Sequence, residues 1–179
     1  MTFKLLPKAP SLSLQRWFWF LLTLNVLFII GSVIYLHPLS FGDMMQLEVA
    51  KKTPVAERLL QEWYAAGKME KAVESIYVDF LFIILYTTGL GAACLYLSRL
   101  TAHEVLIRAG KAISWLLVAA GICDVIENFT IMKILGGAVT SFNVMLTYDM
   151  AAAKFSVIIL SLLFLLVCLI FWLINKLVR

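Results

Sequence analysis

Apolar side chains arrive in four long runs, at residues 17–37, 76–98, 112–135 and 152–175. Each run is long enough to cross about 30 Å of hydrocarbon, which takes roughly 20 helical residues. Hydrocarbon offers backbone N–H and C=O groups nothing to bond with, so the runs predict helices rather than open strands. The first run is too long for a signal-peptide core and lacks a small-residue cleavage pattern after it, so it reads as a retained span. The expected fold is all-α: an integral membrane four-helix bundle forming a single membrane domain over residues 1–179, with no soluble domain.

The pattern changes between the first two spans. Over residues 43–67, Met44, Leu47, Val55, Leu59, Leu60 and Trp63 recur at helical spacing, while Lys51, Lys52, Glu57, Arg58 and Glu62 fall largely on other faces. This is an amphipathic extramembrane helical segment. Asp43 is placed to cap a first helix running from Met44 to Lys52, Thr53-Pro54 to start a second, and Gly67 to end it. Such a segment either lies on the headgroups or folds as a lid over the outer mouth of the bundle.

Composition agrees with the pattern: 63% of the 179 residues are hydrophobic and 15% charged, a balance that a water-soluble globule cannot bury. Lys4, Lys8 and Arg16 precede the first span, Arg99, Arg108 and Lys111 separate the second from the third, and Lys176 and Arg179 follow the fourth. The positive-inside rule therefore puts both termini in the cytoplasm. The segment 38–75 carries five basic and six acidic residues and does not oppose that orientation. The basic sequence pI of about 9.0 reports this topology. No basic-aromatic stripe suggests nucleic acid.

Polar residues inside the spans carry the functional information. Asp124, Glu127 and Asn128 stand at i, i+3 and i+4 on one helical face, and Asp79 shares a face with Tyr86. Depth along the spans puts Asp124 near the midplane, with Glu127, Asp79 and Lys154 toward the outer side. Charges facing lipid cost far more than charges facing each other, so these faces should converge. The expected constellation for a ligand or ion is Asp79, Tyr86, Asp124, Glu127, Asn128 and Lys154, with Asn25 and Ser32 as further candidates to reach it. If Lys133 snorkels to the headgroups, three carboxylates face one ammonium. Coupled protonation, a bound cation or a cationic ligand would relieve that excess.

Missing residues limit the chemistry. The two histidines, His37 and His103, fall at opposite membrane faces, and there is no GxSxG elbow or Walker loop. Asp124-x-x-Glu127-Asn128 has no imidazole, so any metal would be an oxygen-seeking ion such as Mg²⁺ or Ca²⁺. The identity of a metal stays open and no cofactor is evident. If a carboxylate activated water, the base and acid candidates for catalysis would be Asp124 and Glu127. Cys94, Cys123 and Cys168 lie within spans without a CxxC pair and read as small buried residues. Gly89, Gly91, Ala92 and Ala93 with Ala119, Ala120 and Gly121 suggest a close contact between spans two and three, and Gly136-Gly137 a helix stop.

Leu47 to Trp63, Tyr77-Val-Asp79-Phe-Leu-Phe-Ile-Ile-Leu-Tyr86 and Gly121-Ile-Cys-Asp124-Val-Ile-Glu127-Asn128 together resemble a group of small four-span bacterial membrane proteins. The resemblance covers roughly the first three spans, implies the same topology and a bacterial plasma (inner) membrane as the location, and brings no activity with it. The leading functional reading is an acidic pocket, opening outward, that binds or passes a small ligand, proton or cation, with an amphipathic lipid as another candidate. The alternatives are a scaffold or accessory subunit with structural charges, and a lipid-modifying enzyme using carboxylates. Expected partners are the bilayer, the ligand and further copies of the chain in a homo-oligomer.

Overall fold

The computed structural model describes residues 10–177; Lys4, Lys8 and Arg179, used above for orientation, lie outside the described residues. Six helices follow in order: α1 (Leu12–Leu36), α2 (Phe41–Glu48), α3 (Thr53–Ala65), α4 (Met69–Leu100), α5 (Glu104–Leu135) and α6 (Ser141–Leu177). Four of them, α1, α4, α5 and α6, are long and apolar enough to cross a membrane. With 32, 32 and 37 residues, α4, α5 and α6 extend about 48–56 Å at 1.5 Å per residue. They overrun the apolar stretches at their ends, because polar helical turns continue beyond the hydrophobic run.

Helices α4, α5 and α6 pack on one another, and α1 lies against α4. No side chain of α1 is buried. It is held by Asn25, whose Nδ2 donates to the Leu85 carbonyl at 2.9 Å, and by stacking of Phe18 on Tyr96 and Phe28 on Phe82. Asn25 and Ser32 therefore do not join the acidic cluster: Asn25 is spent on backbone carbonyls and Ser32 on the Ile29 carbonyl of its own helix.

Small residues make the α4–α5 contact, as the sequence suggests, but not all in the expected places. A methyl group at Gly121 would stand 2.9 Å from Thr87 Cγ2, and one at Gly110 would stand 2.7 Å from the Cys94 carbonyl oxygen. Gly89 instead faces α1, where its missing side chain makes room for Asn25. Between the helices, Ser114 Oγ donates to the Gly91 carbonyl at 3.1 Å.

The two short helices form a cap over one end of the bundle. Leu47, Leu59 and Trp63 are buried in one apolar layer with Ala72 and Ile76 of α4, Ile131 and Ile134 of α5, and Val144 of α6. The segment is therefore folded onto an end of the bundle, and burial of its amphipathic face explains the packing. Helix α2 starts one turn earlier than its sequence suggests. Ser40 is the N-cap and Asp43 the third helical residue of a reciprocal capping box, so Asp43 is not itself the cap. Helix α2 also ends at Glu48, leaving Lys51 and Lys52 outside it. Gly67 (φ 66°) and Gly137 (φ 94°) end α3 and α5 through paired Schellman hydrogen bonds, Lys68 N to Trp63 O at 2.8 Å and Ala138 N to Lys133 O at 2.9 Å.

A second apolar layer, built on Cys94, Ile113, Leu117, Phe164 and Cys168, fills the far half of the bundle. The polar residues occupy the level between the two layers.

Candidate functional site: a buried lysine among carboxylates

Two elements bring carboxylates to an ammonium on a third. Lys154 Nζ of α6 lies 2.7 Å from Asp124 Oδ1 and 2.9 Å from Glu127 Oε2, both on α5, and 3.6 Å from Glu48 Oε2, at the last residue of α2. Asp124 and Glu127 reach it together because three residues along a helix return to nearly the same face. Burial is nearly complete: relative exposure is 6% for Lys154, 3% for Asp124 and 0% for Glu127.

A further shell of polar contacts holds the cluster in place. Tyr86 Oη donates to Asp124 Oδ2 at 3.0 Å, which leaves Asp124 with one oxygen on the phenol and the other on the ammonium. Asn128 Nδ2 donates to Asp79 Oδ2 at 2.8 Å. The six residues singled out from sequence thus fall in two groups: Tyr86, Asp124, Glu127 and Lys154 in one, and Asp79 with Asn128 in the other. Lys154 pairs with Asp124 and Glu127, not with Asp79. Lys133 is exposed, as snorkelling requires.

Glu48 belongs to the site and was missed by sequence reading. It lies outside the four apolar runs, and its neighbours Lys51 and Lys52 suggest a solvated stretch. Its period is informative, since Glu48 follows buried Met44 by four residues and adjoins buried Leu47. Burial pushes the Glu48 carboxyl above the usual carboxylate range, the Lys154 ammonium pulls the other way, and Asp124 adds to the rise.

Hydrogen bonding in the cluster is incomplete. Glu48 Oε2, both carboxylate oxygens of Glu127 and Thr147 Oγ1 are buried without a hydrogen-bond partner among the described residues. Glu127 Oε2 is held by its ion pair with the ammonium at 2.9 Å, so Oε1 is the oxygen left without a polar contact. Thr147 lies seven residues before Lys154 on the same face of α6, about 10 Å along the axis. Its buried hydroxyl is the second feature that apolar periodicity alone did not single out.

No group of three or more metal-ligating side chains arranged to hold an ion occurs among the described residues. A lysine ammonium already stands between the acids, where a cation would sit. A cavity of about 310 Å³ opens beside the cap, lined by residues of the α2–α3 segment including Lys51, Lys52 and Arg58, and no cluster residue lines it.

Neither a family model, nor a curated protein, nor a solved structure matches this chain. The fold is an all-helical membrane bundle, and the protein is a membrane protein by the length and apolarity of four helices.

Proposed function

We propose that the cluster is a proton-binding site within the membrane and that the protein takes up and releases a proton there, with the cap as the element that responds. The observation that carries this reading is Glu127: fully buried, with Oε2 ion-paired to Lys154 at 2.9 Å and Oε1 left without a hydrogen-bond partner among the described residues. Glu48, Asp124 and Glu127 around a single ammonium carry two formal negative charges in excess. Each unpaired buried ion costs several kcal/mol. Binding a proton between the acids removes part of that cost and supplies the hydrogen bond that Glu127 lacks.

The cap is coupled to this chemistry through Glu48, the one member of the cluster that α2 contributes. Taking up a proton weakens its attraction to Lys154, and losing one adds a buried negative charge, so docking of the cap depends on the protonation state. The orientation that keeps both termini in the cytoplasm would face the cap outward.

Infrared difference spectra of the reconstituted protein test the reading. A pH jump should produce a protonated-carboxyl band that shifts or disappears in Glu127→Gln, with the variant still monodisperse. An unchanged band in Glu127→Gln and Asp124→Asn alike would remove the site.

A structural clamp is the second reading, and one observation favours it. The cluster joins α2, α5 and α6 without lining the cavity beside the cap. A clamp predicts large stability losses in Asp124→Asn with no pH-dependent carboxyl signal in the parent protein.

A further inference from the structure

We propose that the cavity beside the cap binds the phosphate-bearing headgroup of an anionic phospholipid. Lys51, Lys52 and Arg58 line it, and no acidic side chain does, while Val49, Val55 and Leu59 give it an apolar wall. At about 310 Å³ it has the size of a small-ligand site, enough for a phosphate with its glycerol.

The three cations are free to serve a ligand. Lys51 Nζ rests 4.4 Å above the Tyr148 ring, a contact that positions it without neutralising it. Arg58 Nε is 3.7 Å from Glu62 Oε1, with both side chains more than 60% exposed, a pairing that contributes little in water. Lys52 makes no ion pair among the described residues. Their positive charge is therefore uncompensated within the cavity.

The surroundings favour a lipid over a soluble anion. Val49 lines the cavity and is itself exposed, and Phe41, Met45 and Tyr64 expose further apolar surface elsewhere on the cap, which is packed on the end of membrane-length helices. A phosphate bound there would start its acyl chains along Val49 and Val55, and the same cap would present charge and apolar surface to one amphiphile. The site is separate from the acidic cluster, so its failure would leave the proton reading untouched.

The test titrates the detergent-solubilised full chain with short-chain phosphatidylglycerol and follows its melting temperature. Parallel arms use phosphatidylcholine of the same chain length, sn-glycerol 3-phosphate and inorganic phosphate. Phosphatidylglycerol should raise the melting temperature saturably, and the other three should not. Each cation near an anionic surface is worth roughly fivefold in affinity. Half-saturation should therefore move about fivefold in Lys52→Gln and about 100-fold in the combined Lys51→Gln, Lys52→Gln, Arg58→Gln variant. If that combined variant fails to fold, the single Lys52→Gln shift decides. Equal stabilisation by phosphatidylcholine, saturation by inorganic phosphate or glycerol phosphate, or an unshifted Lys52→Gln curve would each overturn the proposal.

Discussion

Replacing Lys154 with methionine removes the only cation from the cluster while keeping much of the side-chain volume. At an effective dielectric constant near 20, the gross attraction is about 6 kcal/mol to each of Asp124 and Glu127 and about 5 kcal/mol to Glu48, from separations of 2.7, 2.9 and 3.6 Å. Desolvation of the four groups offsets most of that, so the three terms do not add up to a net stability. What survives is the cost of leaving acids unpaired, about 3–5 kcal/mol when one partner of a buried pair is lost. That is a large share of the 5–15 kcal/mol typical of a folded domain. Unfolding in mixed micelles by a denaturing detergent, followed by far-ultraviolet circular dichroism, gives the free energy directly. The loss should be smaller at pH 5 than at pH 9, because protons neutralise the stranded carboxylates as pH falls. Adding Asp124→Asn and Glu127→Gln to Lys154→Met should restore much of the lost stability, since two of the three stranded acids then leave with the cation and only the more distant Glu48 remains. A Lys154→Met variant within about 1 kcal/mol of the parent, or triple-variant losses that simply add, would refute the compensation argument.

Other predictions concern the cap and the helix contacts. Glu48→Gln should stabilise cap docking at high pH and change little at low pH. The raised Glu48 carboxyl contributes stability below its unfolded value and loses it as pH rises through the folded one, and hydrogen exchange at Leu47 and Trp63 reads the difference. Burial alone would raise Asp43, yet hydrogen bonds from Ser40 and the Lys68 ammonium at 2.9 Å hold it below the usual range. Its contribution is therefore present above about pH 4 and fades on further acidification as its folded value is passed. Asp43→Ala should cost about 1 kcal/mol at neutral pH by the same exchange measurement. Gly110→Ala should cost about 1–3 kcal/mol in detergent unfolding, because the new methyl would meet the Cys94 carbonyl oxygen and Ser98 of α4.

Much of this molecule was legible because lipid-facing and core-facing demands leave strong periodic signals. The four long helices, the amphipathic cap and the glycine stops at Gly67 and Gly137 follow from apolar run length, helical spacing and backbone freedom. The clustering of Asp124, Glu127 and Lys154 follows from the cost of exposing charge to lipid. Glu48 escaped because a single acid in a mixed-charge segment looks solvated until tertiary packing of Leu47 carries it inward. Asn25 misled for the opposite reason: a polar side chain in an apolar run need not seek other side chains when a neighbouring helix offers a carbonyl. Gly110 was hidden because its close neighbours, Ser98 and the Cys94 carbonyl, belong to another helix and leave no local pattern.

Helix α1 contributes nothing buried and meets the rest of the molecule mainly along α4. The lysine and its acids are held wholly by α2, α4, α5 and α6, so the irreducible unit is three long helices with a plug. A chain beginning after Leu36 should still assemble that unit. The first helix is then a detachable outrigger, free to differ in sequence without disturbing the interior chemistry, and its departure would bare the flank of α4 at Gly89 for another helix to dock.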